Sequence, residues 1–224
     1  MSIKFVIIVL GEPYSTFSEI LGKYFTKNNK LKKKIILIGN SNLLKKQLKK
    51  LNYHLQLNNI DHFDNAKKNK INIINIKFTQ KKIFSKISKK SKNYIERSFN
   101  KSLEILKQLK DQSILINGPI SKKYFLEKKF SGITEFLSKK TKSKNEIMLI
   151  YNEKLSVSPL TTHIPIKYVT KKISKEKLTK SILKIREFYK NFLKKNVRIA
   201  ILGLNPHCET TDKFSEEEKI IVPA

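Results

Sequence analysis

The chain contains one cysteine, Cys208, in 224 residues, which excludes an intramolecular disulfide and fits a reducing, cytoplasmic setting. Acidic side chains are scarce too: 18 Asp and Glu face 48 Lys and Arg, for a formal net charge of +30. An excess of that size raises nucleic acid or an anionic membrane as a partner. The lysines are spread over the whole chain, however, alongside abundant Asn and Ile, the residues that AT-rich codons favour. A base bias displayed on solvated faces accounts for that spread, and the resulting field still attracts anionic substrates. No apolar run approaches the roughly 18 residues that cross a bilayer. There is no internal repeat, Gly/Ser linker, HExxH motif or cysteine cluster, which excludes the sequence-local zinc sites. The apolar start, Ile3 to Leu10, has no small-residue cleavage site and runs into Gly11-Glu12-Pro13, so a first core strand is expected rather than a signal peptide.

What is present is an alternation of strands and helices. Ile3 to Leu10, Lys34 to Gly39, Ile71 to Ile76 and Ser113 to Ile116 read as short buried strands. Helices are expected over Phe17 to Thr26, after Ser41 as a cap, over Asn93 to Lys110, over Glu135 to Thr141 behind Thr134, and over Lys175 to Lys195. Tyr53 to Lys70 is polar and poorly patterned, a loop with one short strand, and its His54 and His62 read as surface residues. The turn Asn117-Gly118-Pro119-Ile120-Ser121-Lys122 has two readings. It could hold an anion on free backbone N–H groups, or it is an ordinary turn in which Ser121 caps the next helix. This alternation predicts a sheet covered by helices, an α/β fold.

Two further runs carry the chemistry. Val197 to Leu202 is a β-branched run that stops in Gly203-Leu204-Asn205-Pro206-His207, and Leu155 to Thr162 stops in Thr161-Thr162-His163-Ile164-Pro165, with Glu146 to Tyr151 as its strand partner. Two expected strands thus end in histidine beside proline, in a chain with four histidines. The carboxyl edge of an α/β sheet is where ligands bind, and neutral imidazole is the commonest protein metal ligand. His163 and His207 therefore form a candidate metal or catalytic pair, against the plainer reading of two loop residues hydrogen-bonded to backbone. Cys208, next to His207, reads as a small hydrophobe, with a catalytic thiol as the alternative.

Taken in order, Gly11-Glu12-Pro13 with Glu19, Asn117 to Lys122, Phe130 through Phe136, Thr161 to Pro165, Gly203 to His207, and Glu216-Glu217 ahead of Ile221-Val222-Pro223-Ala224 resemble the family of 4-hydroxythreonine-4-phosphate dehydrogenases of pyridoxal phosphate biosynthesis. The resemblance runs over essentially the whole chain. It implies a two-lobed α/β/α subunit like that of the isocitrate and isopropylmalate dehydrogenases. The first lobe would be 1–125, and 126–224 a second lobe carrying the metal histidines. It implies a homodimer with the active site at the subunit interface, NAD or NADP as cofactor, and a divalent metal (Zn, Mg or Co) on three histidines. His163 and His207 match two of these. The reaction implied is oxidation and decarboxylation of 4-phosphohydroxy-L-threonine to 3-amino-2-oxopropyl phosphate. Thr134 matches a substrate-binding position, and Ile133 stands where the family usually has His.

The sequence stops in the apolar run Ile220 to Ala224, so we expect it to be the first two-thirds of a longer protein. On the resemblance, the third metal histidine and the acid, base and phosphate groups lie beyond Ala224, and the fold is incomplete at the C-terminus. The glycines usual after Gly11-Glu12-Pro13 and after His207 are replaced by Tyr14 to Ser18 and Cys208 to Thr211. With Ile133, these departures leave room for a related phospho-hydroxyacid substrate, threonate or erythronate 4-phosphate, or for a non-catalytic metal- or nucleotide-binding relative. A nucleic-acid module, motivated by charge alone, is the reading set aside.

Overall fold

The computed structural model describes residues 3–28, 30–127, 129–143, 146–208 and 215–224. The chain divides into two compact units, Met1–Phe136 and Leu137–Ala224.

The first unit is built on a five-stranded parallel sheet: β1 (Phe5–Val9), β2 (Lys34–Gly39), β3 (Leu57–Asn59), β4 (Ile71–Asn75) and β5 (Ser113–Asn117), in the order β3-β4-β2-β1-β5. Parallel strands need crossovers, and the helices α1 (Phe17–Lys27), α2 (Ser41–Lys50) and α3 (Lys92–Leu109) supply three of them. Ile8, Ile35, Leu37, Ile71 and Ile73 alternate onto one face and pack with Leu21, Phe25, Leu44 and Leu48 of α1 and α2. α3 lies against β1, β2 and β5.

The stripe that α3 buries differs from the Ile95, Phe99, Leu103, Leu106 and Leu109 that its spacing predicts. Ile95, Ser98, Phe99, Ser102, Ile105 and Leu109 are buried, while Leu103 and Leu106 are half-exposed. Two serines lie in the apolar stripe because their hydroxyls bond back to their own helix, Ser98 Oγ to the Tyr94 carbonyl at 2.9 Å and Ser102 Oγ to that of Phe99 at 2.7 Å. Being small, they let the helix approach the sheet. A second correction concerns the start of α2. Asn40, not Ser41, is the cap, its side chain accepting from the Leu43 N–H at 2.8 Å. His54 and His62 are exposed, as expected.

In the fully buried Asn72 on β4, Nδ2 donates to the carbonyls of Ile35 and Lys67, both at 2.9 Å, and Lys70 at 3.1 Å. Its Oδ1 accepts from Lys67 N–H at 2.9 Å and Asn58 Nδ2 at 2.8 Å. A buried amide so completely paired adds specificity without an unpaired polar group.

α4 (Ile133–Thr141) crosses the division between the units and is anchored by Phe136, which packs edge-on to Phe99, Phe125 and Phe130. It begins at Ile133, so Thr134 sits inside the first turn and is not a cap.

Among the described residues of the second unit the long helix is α5 (Lys175–Phe188), capped by Ser174, whose hydroxyl accepts from Lys177 N–H at 3.2 Å. The spacing of Leu178, Ile182, Ile185, Tyr189 and Phe192 predicts one apolar stripe, yet only Leu178 is buried; Ile182, Ile185 and Tyr189 are half-buried and Phe192 is exposed. The expected strands over Glu146 to Tyr151 and Leu155 to Thr162 reduce to one antiparallel bridge between Ile150 and Val157. Val197 to Leu202 is not a strand at all. Its pattern is that of a strand, but no described segment is hydrogen-bonded alongside it, and an extended chain without a neighbour gains no ladder.

Candidate functional site

In an open parallel sheet the ligand edge is the carboxyl end of the strands where the winding reverses. Here the chain winds from β1 toward β2 and β4 and then returns to the other side of β1 as β5, so the turns after β1 and β5 meet. Gly11 has φ +70°, and a Cβ there would stand 2.3 Å from the Pro119 carbonyl oxygen; one on Gly118 would stand 2.4 Å from that of Leu10. Both glycines are required by the approach of the two turns.

The turn brings Glu12 inside. It is 3% exposed, its N–H donates to the Pro119 carbonyl at 2.8 Å, and Oε2 accepts from the Ser91 hydroxyl at 2.8 Å. Oε1 has no hydrogen-bond partner among the described residues. Burial pushes its pKa up, while the Ser91 hydroxyl and the Ser121 backbone N–H oppose the rise. Glu12, Ser18, Asn40, Gln47 and Tyr94 line a cavity of about 20 Å³ beside it. The Tyr94 hydroxyl is pushed up to about 12 by its burial and accepts from the Asn40 N–H at 3.1 Å. A buried carboxyl at a winding reversal is a site candidate that sequence reading missed. The signal available was an acid set between Gly and Pro directly after a buried strand.

In the turn from Asn117 to Lys122, Ser121 is the cap. Gly118 N–H donates to the Val9 carbonyl at 2.7 Å, and Ser121 accepts through its hydroxyl from Tyr124 N–H at 3.1 Å and through its carbonyl from Phe125 N–H at 2.9 Å. Those donors are engaged, and the helical turn that follows, Lys122–Leu126, is 5 residues long. At the start of α4, Ile133 and Thr134 are both half-buried, and the Thr134 hydroxyl makes no hydrogen bond among the described residues.

In the second unit, His163 and His207 are exposed. Both stand in the left-handed region, at φ 56° and 59°, and Cys208 follows at 59°. This backbone is uncommon for residues other than glycine. His163 precedes the short turn Ile166–Tyr168, and His207 lies within the turn Pro206–Cys208. The loop before His207 is tied down by Glu217. Glu217 Oε1 accepts from the N–H groups of Leu204 at 2.7 Å and Asn205 at 2.8 Å, and Oε2 accepts from Asn205 Nδ2 at 2.8 Å. These bonds, led by the Asn205 backbone, hold the Glu217 carboxyl down at about 2. Cys208 is exposed and its Sγ sits over Gly203, where a Cβ would approach it to 2.4 Å. Among the described residues no three His, Cys, Asp or Glu side chains come together as a metal site. No described helix is long and apolar enough to cross a membrane.

The family model described as pyridoxal phosphate biosynthetic protein PdxA matches residues 31–224, which take in Thr134 and both histidine loops. The chain belongs to the PdxA family. A 4-hydroxythreonine-4-phosphate dehydrogenase of Sulfurihydrogenibium is 34% identical over 97% of this chain and 68% of its own length. A Clostridium botulinum protein provisionally named D-threonate 4-phosphate dehydrogenase is 27% identical over 97% of this chain and 67% of its own. Among solved structures, one provisionally named 4-hydroxythreonine-4-phosphate dehydrogenase from Salmonella typhimurium matches with a TM-score of 0.82 at 25% identity, covering 98% of this chain and 70% of that one. The chain thus spans about two-thirds of the length of these relatives. The parallel sheet with its helices is the α/β fold of PdxA structures, and the family is one of oxidoreductases in pyridoxal phosphate biosynthesis.

Proposed function

We propose that this PdxA protein oxidises 4-phosphohydroxy-L-threonine with NAD or NADP and releases carbon dioxide, giving 3-amino-2-oxopropyl phosphate, as a metal-dependent cytoplasmic homodimer. The observation that carries the reading is the family match, which takes in Thr134, His163 and His207 together. His163 and His207 would hold the divalent cation. Imidazole donors suit zinc or cobalt better than magnesium, which prefers oxygen, and a further ligand must come from outside the described residues. When bound, such a cation acidifies a coordinated alcohol and offsets the negative charge left by carbon dioxide. The Thr134 hydroxyl at the start of α4 would hydrogen-bond the substrate, and Ile133 would offer it an apolar contact. The phosphate is drawn by a chain of +30 formal charge. The dinucleotide would be held away from the sheet edge, where Gly11 and Gly118 close on Pro119 and Leu10.

Ile133 favours a second reading. Where a histidine donor is replaced by isoleucine, a substrate with a different group at that point, such as threonate or erythronate 4-phosphate, is accommodated. The test is to incubate the full-length protein with NAD or NADP, zinc or cobalt, and each phosphate ester in turn. Reduced dinucleotide from 4-phosphohydroxythreonine supports the first reading, and from threonate or erythronate 4-phosphate alone, the second. A folded, metal-loaded dimer that turns over none of them would show a non-catalytic relative.

A further inference from the structure

Glu217 is 5% exposed and lies at the start of the short helical turn Glu217–Ile221. A buried carboxylate is costly unless its oxygens are hydrogen-bonded, and nearly all of its bonds go to one stretch of chain. Oε1 takes two successive backbone N–H groups, those of Leu204 and Asn205, and Oε2 takes Asn205 Nδ2, with the Ser215 hydroxyl at 3.3 Å. Asn205 Nδ2 also reaches Glu216 Oε2 at 3.0 Å. The Asn205 carbonyl in turn accepts from Cys208 N–H at 3.1 Å, closing the turn around Pro206 and His207.

That turn holds two consecutive residues, His207 and Cys208, at φ 59°. Such a backbone persists only where its surroundings fix it. Gly203 completes the arrangement: a Cβ there would meet Cys208 Sγ at 2.4 Å and Glu217 Oε1 at 3.3 Å. Among the described residues, the Glu217 carboxylate grips the loop immediately ahead of His207 at three donors. Sequence alone offered Glu216-Glu217 as a pair without a role, about ten residues downstream of the loop.

We propose that Glu217 is a positioning residue for the reaction, acting through Leu204 and Asn205 to fix the loop that presents His207 to a divalent cation. The inference rests on the reading of His207 as a metal ligand. Residues that orient metal ligands typically change affinity by about 10- to 100-fold when replaced. The hydrogen-bond pattern also orders the variants. Glu217→Ala removes every acceptor, whereas Glu217→Gln keeps a carbonyl oxygen for the two backbone N–H groups and loses only the second acceptor.

The test is cobalt(II) titration of the full-length protein, followed by its visible absorption bands, for the native chain, Glu217→Ala, Glu217→Gln, His163→Ala and His207→Ala. Glu217→Ala is expected to weaken cobalt binding about 10- to 100-fold and to change the band shape, with Glu217→Gln between it and the native protein. The histidine variants are expected to lose binding. Native-like affinity in both Glu217 variants, with binding lost in His207→Ala, overturns the role of Glu217 and leaves the metal reading standing. Native-like affinity in the histidine variants overturns that reading, and the role of Glu217 with it. Should Glu217→Ala fail to fold, Glu217→Gln decides: weakened binding with an altered spectrum supports the role, and native affinity and spectrum overturn it.

Discussion

Ile71–Asn75 in the first unit and Ile199 to Leu202 in the second are both short, β-branched runs, yet their fates differ. The first is a strand with Ile73 at 0% exposure; the second is irregular chain with Leu202 at 86%. Hydrophobicity does not separate them. What separates them is company: β4 has β2 on one side and β3 on the other, whereas the second run has no hydrogen-bonded neighbour among the described residues. Apolar periodicity states that a segment is suited to burial, and pairing decides whether it becomes a strand. The same contrast runs through the helices. α3 buries seven residues; α5 buries Leu178 alone.

The sharpest way to break this contrast is to truncate the buried member. Ile73→Ala should cost about 2–5 kcal/mol, measured by urea unfolding of the full-length protein. A cost near zero would mean that the sheet core is not what stabilises the first unit.

A smaller effect is expected at Glu12. Because burial raises its pKa, folding retains a proton that the unfolded chain releases above its ordinary value of 4.5. Below that value both states are protonated and no stability is lost; as pH rises from there through the folded-state pKa, stability falls. Glu12→Gln keeps an acceptor for Ser91 and removes the ionisation. Unfolding measured at several pH values should therefore show a shallower decline above 4.5 and equal or greater stability at neutral pH. A variant less stable at neutral pH would mean that the Glu12 charge is used by the fold.

The smallest effect belongs to the second run. Leu202→Ala, at a residue 86% exposed, should stay within about 0.5 kcal/mol in the same urea titration. A cost comparable with that of Ile73→Ala would show that the run is buried in the full-length protein in solution.

These regions also mark how far the sequence could be read. β2 runs from Lys34 to Gly39 as its pattern predicts, and β1, β4, α1 and α3 fall within a residue or two of expectation at most ends, because each combines a clear period with Gly, Asn or Ser punctuation. The serine-lined stripe of α3 and the Asn72 network were not legible. The serines satisfy their hydroxyls within their own helix, so their burial follows from how α3 meets the sheet, and the Asn72 network depends on Ile35 and Asn58, which are distant in sequence. Asn40 and Ser41 are equivalent as caps by residue type, and only geometry separates them. At the candidate sites, His163 and His207 were legible as types in matching loops. Their left-handed backbone, the burial of Glu12 and the grip of Glu217 on Leu204 and Asn205 arise from contacts that no single segment encodes.

The most direct test of the account is the metal content of the purified full-length protein beside His163→Ala and His207→Ala, each folded and exposed to zinc or cobalt and then desalted. A divalent ion is expected to be retained in the native protein and lost in both variants. Equal metal in all three would remove these histidines from the site and contradict the account.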